Sequence, residues 1–339
     1  MTRLTGVVAA AAIIALSLAG CSTASESPGD ESTSDGAFPV TIESALGTAE
    51  IPEKPERIVS IGWGTPDIVV ALGETPVAIE EDTWAGDDDG LLPWLRDAIE
   101  KSGEQLPETF SVYPEIDMDA VVKADPDVIL APQSGLTQDQ YDVLSQLAPT
   151  VAYPDAAWQT DWKTQISTVA TALGQTDAAD ELIGGIETQL ADAAAEHPEF
   201  EGLTFAYVYA GKPGELSVYL KGDPRVDLLT ALGFELDPAV ADLQPAEGTF
   251  TATIGMENAD MLSDVDVLFT WYNSDDEKAA VVEQELWQQI PAVQSGAVVE
   301  FISNRELGMA TSVLTPLSVP WALDEYLPLI SEGVSHVDG

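Results

Sequence analysis

Apolar and polar positions alternate in blocks along the chain, and the blocks define its elements. An uncharged run from Gly6 to Gly20 follows Arg3. It is shorter than the ~20 residues a membrane span needs, and it reads as a secretory signal. Residues Ser22 to Ala37 are rich in Ser, Thr, Asp, Glu, Gly and Pro. Such a composition builds no core and reads as a tether reaching roughly 20–25 Å as a coil.

Beyond the tether the pattern repeats. Arg57-Ile58-Val59-Ser60-Ile61 is a strand-like run. It leads through Gly62-Trp63-Gly64 to a helical segment from Asp67 to Gly73 and a strand at Val77-Ala78-Ile79. In the second half, Phe205 to Tyr209 is a strand, and Asp227 to Gly233 repeats the Asp-to-Gly spacing. A glycine there is a natural helix stop. Asp119 to Ala124 reads as a helix before the apolar strand Asp127-Val128-Ile129-Leu130; Glu257 to Leu262 before Asp266 to Phe269 is its counterpart. Helices alternating with short apolar strands predict an α/β fold with mainly parallel sheets, and two matched sets predict two similar lobes.

Between the halves, residues 179, 182, 183, 186, 190 and 193 are apolar at helical spacing. They predict one helix from Asp177, as N-cap, to Glu196, about 30 Å long and able to bridge the lobes. Gly184-Gly185 inside it suggests close packing or a bend. The boundaries are then a signal at 1–20, a tether at 21–37, a first lobe at 38–176, a linking helix at 177–197 and a second lobe at 198–335.

Charge narrows the function. Asp plus Glu number 59 against 12 Lys plus Arg, a formal charge of −47. Such a surface repels phosphate backbones, which excludes nucleic acid as a partner. The single cysteine, Cys21, permits no intrachain disulfide and ends Leu18-Ala19-Gly20-Cys21, which looks like a bacterial lipobox. The two histidines, His197 and His336, lie far apart; a His-rich metal site is excluded and no cofactor is expected. Glu80-Glu81-Asp82 and Asp87-Asp88-Asp89-Gly90 lack EF-hand spacing and read as a solvated acidic rim. Gly62-Trp63-Gly64 lacks the third glycine of a dinucleotide fingerprint, since Asp67 stands in its place. No nucleophile elbow, zinc-hydrolase motif or phosphate loop is present, so no enzyme is expected.

Several phrases then point to one family: Pro55-Glu56-Arg57-Ile58-Val59-Ser60, Ala71-Leu72-Gly73 before Pro76-Val77, Ile116-Asp117-Met118-Asp119, Tyr141 to Val151, and Ile290-Pro291-Ala292-Val293. In this order, over about residues 50–331, the chain resembles the siderophore- and cobalamin-binding lipoproteins of ABC importers, with the ferric-siderophore receptors the nearest-looking branch. The resemblance implies two lobes joined by one long helix, a cleft between them and little hinge motion. It also implies lipid on Cys21, an extracytoplasmic monomer held at the cell membrane, and an ABC permease and ATPase as partners. One carboxylate on each lobe, Asp119 and Glu257, would dock the permease. The first is Asp where the family pattern has Glu.

In open α/β sheets ligands sit beyond the carboxyl ends of the strands. Strand ends supply Trp63, Trp84, Gln133 with Ser134, Tyr153 and Trp158 in the first half. The second half supplies Tyr209, Lys212, Tyr219, Lys221, Trp271, Tyr272, Asn273 and Arg305. Trp94, Trp162, Trp287 and Trp321 lie in helical patterns and read as core. Many aromatics and few bases suit a neutral or cationic ferric hydroxamate better than an anionic catecholate, which calls for clustered arginines. A ferric siderophore carries its own iron ligands, so no protein metal ligand is required. Cobalamin, haem, or an enzyme or sensor using the same cleft are the alternatives.

Overall fold

The computed structural model describes residues 37–246, 249 and 251–337. The apolar signal run, Cys21 and the tether up to Gly36 lie outside the described residues. The described part opens with an antiparallel hairpin, β1 (Val40–Glu43) and β2 (Thr48–Ile51). The first lobe then alternates β3 (Ile58–Ser60), α1 (Thr65–Ala71), β4 (Ala78–Glu80), α2 (Pro93–Ser102), β5 (Glu108–Phe110), α3 (Met118–Ala124), β6 (Val128–Leu130), α4 (Gln138–Leu144), β7 (Thr150–Val151) and α5 (Trp162–Ala172). Its sheet is parallel throughout, in the order β5-β4-β3-β6-β7. Every residue of β3 and β6 is buried. Unbroken apolar runs form such strands because helices cover both faces.

The long helix α6 (Thr176–Glu196) follows. It buries Ala179, Ile186, Leu190 and Ala193. Two local expectations change. The helix begins one residue earlier, so Asp177 lies in its first turn, and the capping residue Gln175 makes no side-chain bond. A side chain at Gly184 or Gly185 would meet nothing within 4 Å, and the helix runs through them unbroken. The pair therefore serves neither close packing nor a bend.

The second lobe comprises β8 (Thr204–Tyr209), β9 (Ser217–Tyr219), α7 (Pro224–Ala231), β10 (Glu235–Leu236), α8 (Pro238–Ala241), β11 (Thr251–Thr253), β12 (Val267–Tyr272), α9 (Asp275–Val282), α10 (Pro291–Ser295), β13 (Val298–Ile302), α11 (Arg305–Ser312) and α12 (Ser318–Val334). Strands β10, β8, β12 and β13 run parallel, whereas β9 and β11 add antiparallel at the far end of β8. The segment expected to mirror α3 is a tighter 3-10 stretch, Met256–Leu262, interrupted at Asn258.

The lobes share local chemistry. Asp127 accepts the backbone N–H groups of Glu56 at 2.7 Å and Arg57 at 3.0 Å, fixing the start of β3. Asp266 accepts the N–H and hydroxyl of Thr204, both at 2.8 Å, at the start of β8. Gly73 after α1 and Gly233 after α7 have φ of 84° and 104°, a conformation in which glycine alone carries no steric cost.

One apolar cluster runs from Ile58 and Ile68 in the first lobe, through Ile186 and Leu190 of α6, to Phe205 and Phe269 in the second. Met309, Ala310, Val313 and Ala322 from α11 to α12 join Ile79, Leu92, Trp94 and Leu95 of the first lobe. The last two helices therefore pack against both lobes. Trp94, Trp162 and Trp287 are buried, and half-buried Trp321 packs 5.3 Å from Trp94.

Candidate functional site

Between the lobes, beyond the carboxyl ends of β3, β4, β8 and β12, lies a cavity of about 650 Å³. That is the size of a small-molecule site, and its aromatic walls suit a broad ligand.

The first-lobe wall is set by the turn after β3. The rings of Trp63 and Trp158 stand 5.2 Å apart at 52°. Trp158 holds φ of 61°, unusual for a bulky side chain and a sign of local constraint. Its indole lies against Gly135, where a Cβ would come within 2.5 Å of Nε1. Gln133 fastens this loop: its Oε1 accepts the Thr160 N–H at 2.9 Å and its Nε2 donates to the Trp158 carbonyl at 3.4 Å. Glu80, at the end of β4, accepts the Gly62 N–H at 2.7 Å. Burial pushes its carboxyl pKa up; the Gly62 bond opposes this, and neighbouring Asp82 and Glu81 reinforce it.

The second-lobe wall is a connected chain of rings. Tyr209 and Trp271 stack at 4.3 Å and 15°. The Trp271 indole donates to the Tyr219 hydroxyl at 3.3 Å, and the Arg225 guanidinium lies 4.2 Å from the Tyr219 ring centre. Arg225 is itself buried and donates to both oxygens of Asp223 at 2.9 Å. Burial raises the Asp223 pKa and the guanidinium opposes it. The Asn273 amide donates to the Tyr209 hydroxyl and to Glu277 Oε2, each at 3.1 Å. Burial pushes the Tyr209 hydroxyl up to about 12, so it stays neutral and able to donate.

Polar contacts cross the cleft directly. Trp84 Nε1 donates to Asn273 Oδ1 at 3.2 Å, and Gln159 Nε2 donates to the Thr249 carbonyl at 3.0 Å.

Of the residues selected from strand ends, Trp63, Trp84, Trp158, Tyr209, Tyr219 and Trp271 meet in the cavity. Gln133 and Lys221 border an adjoining recess of about 170 Å³. The other six line neither space. Tyr153 is buried and donates to the Leu136 carbonyl at 2.9 Å. Tyr272 is buried in the second-lobe core, because alternation along β12 turns it to the face opposite Trp271. Lys212 is exposed and 3.7 Å from Glu215. Arg305 is exposed outside the cavity, 3.4 Å from the Trp84 carbonyl. Ser134 is buried and bonds the Ala131 carbonyl. Asn273 is half-buried and bonds Tyr209 on its own lobe and Trp84 across the cleft.

The sequence reading missed the inner acids as site residues, and it set Arg225 near the second-lobe cleft loops without choosing it as a contact. Glu80, Glu81 and Asp82 line the cavity instead of forming only a solvated rim. The signal was present, since Glu80 is the last residue of β4 and the strand-end rule selects it. Asp119 and Glu257 are exposed, each in the first turn of its segment. Among the described residues no cluster of three or more His, Cys, Asp or Glu could hold a metal ion, and no helix is long and apolar enough to cross a membrane.

Two α/β lobes braced by one helix around an aromatic cleft define a ligand-binding protein. Residues 58–304 match the family described as periplasmic binding protein, and the chain belongs to that family. The chain is similar to the crystal structure of Streptococcus pneumoniae TIGR4 PiaA in complex with ferrichrome, with 31% identity and a TM-score of 0.80 over 88% of this chain and 99% of that one. It is also similar to a periplasmic solute binding protein from Mycobacterium smegmatis, with 27% identity and a TM-score of 0.72 over 87% of this chain and 98% of that one. A curated relative, the probable siderophore-binding lipoprotein YfiY of Bacillus subtilis, is 27% identical over 82% of this chain and 84% of its own length.

Proposed function

We propose that the protein is the extracytoplasmic binding component of an ABC importer and captures a ferric siderophore of hydroxamate type. The observation that carries this reading is the cleft: aromatic rings on both walls, acids on one, and, among the described residues, a single lining base, Arg225, already held by Asp223. A strongly anionic catecholate meets repulsion there, whereas a neutral or cationic chelate meets flat, apolar rings. The similar PiaA structure of Streptococcus pneumoniae is in complex with ferrichrome. The rings grip the organic shell, the tyrosine hydroxyls reach chelate oxygens, and iron is cargo. No bond is made or broken in the cleft.

Lipid on Cys21 would hold the protein at the membrane, with 1–20 removed as signal and 21–37 as tether. Asp119 and Glu257 would meet arginines on the permease, and the protein would act as a monomer. These assignments rest on the sequence pattern and on the lipoprotein relative. Cys21→Ser should release the protein from the membrane fraction.

Titration of tryptophan fluorescence with ferrichrome, a ferric catecholate, cobalamin and haem tests the ligand. Ferrichrome should quench and should stabilise the fold by about 2.7 kcal/mol at a hundredfold excess over Kd. A response confined to the other compounds overturns the hydroxamate reading.

A further inference from the structure

The cleft is acidic where its ligand must sit. Three consecutive acidic residues, Glu80, Glu81 and Asp82, line it. Two have work within the protein. Glu80 accepts the Gly62 N–H, and Asp82 Oδ1 accepts the N–H groups of Trp84 at 2.9 Å and Ala85 at 2.7 Å. The Glu81 side chain makes no hydrogen bond or ion pair among the described residues, although it is partly buried. Arg96 is held by Asp87 and Asp89 and Arg225 by Asp223, while Arg305, which reaches the Trp84 carbonyl from outside the cavity, makes no ion pair with Glu81 among the described residues. A ligand that fills the cavity strips water from Glu81. A neutral ligand would leave that carboxylate desolvated and unpaired, which is costly. A ligand bringing its own cation would pair with it, and Trp63 and Trp84, which line the same cavity, are aromatic groups of the kind that attract such a charge.

We infer that the cleft selects a ferric hydroxamate carrying a free cationic arm, such as a primary ammonium, seated against Glu81 between Glu80 and Asp82. This rests on the hydroxamate reading above and narrows it by charge.

The test compares two ligands with the same iron centre: ferric desferrioxamine B, whose terminal amine is protonated at pH 7, and its N-acetylated, neutral form. Ferrichrome serves as a second neutral hydroxamate. Affinities are measured at about 0.5 M salt, where the screening length is only about 4 Å, so the general negative charge of the protein does not produce the preference. The amine-bearing chelate should bind about tenfold more tightly than its acetylated form, as expected for one partly buried ion pair. In Glu81→Gln that ratio should fall toward one. Equal affinities in the wild-type protein, or a ratio unchanged in Glu81→Gln, overturn the charge selection and leave the hydroxamate reading standing. Failure of all three chelates to bind overturns both.

Discussion

The indole nitrogen of Trp84, in the first lobe, donates to Oδ1 of Asn273, in the second, across 3.2 Å. The amide of the same Asn273 holds the Tyr209 hydroxyl at 3.1 Å and Glu277 at 3.1 Å. One side chain thus orients the Tyr209–Trp271 stack and ties it to the opposite wall. Asn273→Ala removes both functions. Ligand should dissociate about tenfold faster, with a smaller change in association, because changes within one interface fall mainly on the off-rate. Stopped-flow tryptophan fluorescence reads both rates. An unchanged off-rate would show that the bridge does not help retain ligand.

Trp271 and Tyr272 are adjacent but face opposite ways along β12. Trp271→Ala should weaken binding by about 1–3 kcal/mol, as removal of an aromatic anchor does. Tyr272→Ala should destabilise the fold by about 3–5 kcal/mol, as large core truncations do, while the folded fraction keeps its affinity. Chemical denaturation paired with ligand titration separates the two. Exchanged phenotypes would mean that the face assignment is inverted.

Asp67 is fully buried at the inter-lobe joint. Its Oδ2 accepts from Trp94 Nε1 and from Thr315 Oγ1, both at 2.7 Å, while Oδ1 has no partner. Burial raises its pKa from 3.8 to about 6, against the two hydrogen bonds. The folded state therefore holds this proton more tightly than the unfolded chain. Its contribution is fully present below about pH 4 and is lost as pH rises through 6, about 3 kcal/mol in all. Other carboxylates titrate in the same range, so the difference between wild type and Asp67→Asn isolates this one. Asp67→Asn should gain stability relative to wild type between pH 4 and 7 in urea denaturation. A difference independent of pH would rule out this ionisation as its source.

Asp119 and Glu257 stand exposed on equivalent segments of the two lobes. Complementary charges across an interface set encounter rate and register. Asp119→Lys combined with Glu257→Lys should abolish chelate uptake by cells, with the affinity of the purified protein unchanged. Normal uptake removes the docking assignment; lost affinity moves these residues into the binding site or the fold.

Much of this protein is determined by its sequence alone. The buried strands β3 and β6 are legible because unbroken apolar runs beside helical periodicity suit a parallel sheet covered on both faces. The paired lobes are legible because Asp127 and Asp266 stand at the same offset from their strands, and each accepts a backbone N–H at the start of its lobe's first parallel strand. Six cleft aromatics are legible because strand ends converge on one side of such sheets. The rest depends on three dimensions. Whether Tyr153 faces core or cleft is a matter of which way a strand end turns, and sequence periodicity carries no sign for that. Arg225 becomes a cleft residue only when α7 sets it under Tyr219, and Asp223 neutralises it only in that fold. The run Glu80-Glu81-Asp82 reads as solvated in one dimension. It lines a cavity because the second lobe, held by α6, α11 and α12, closes over it, a long-range packing contact that no local pattern encodes.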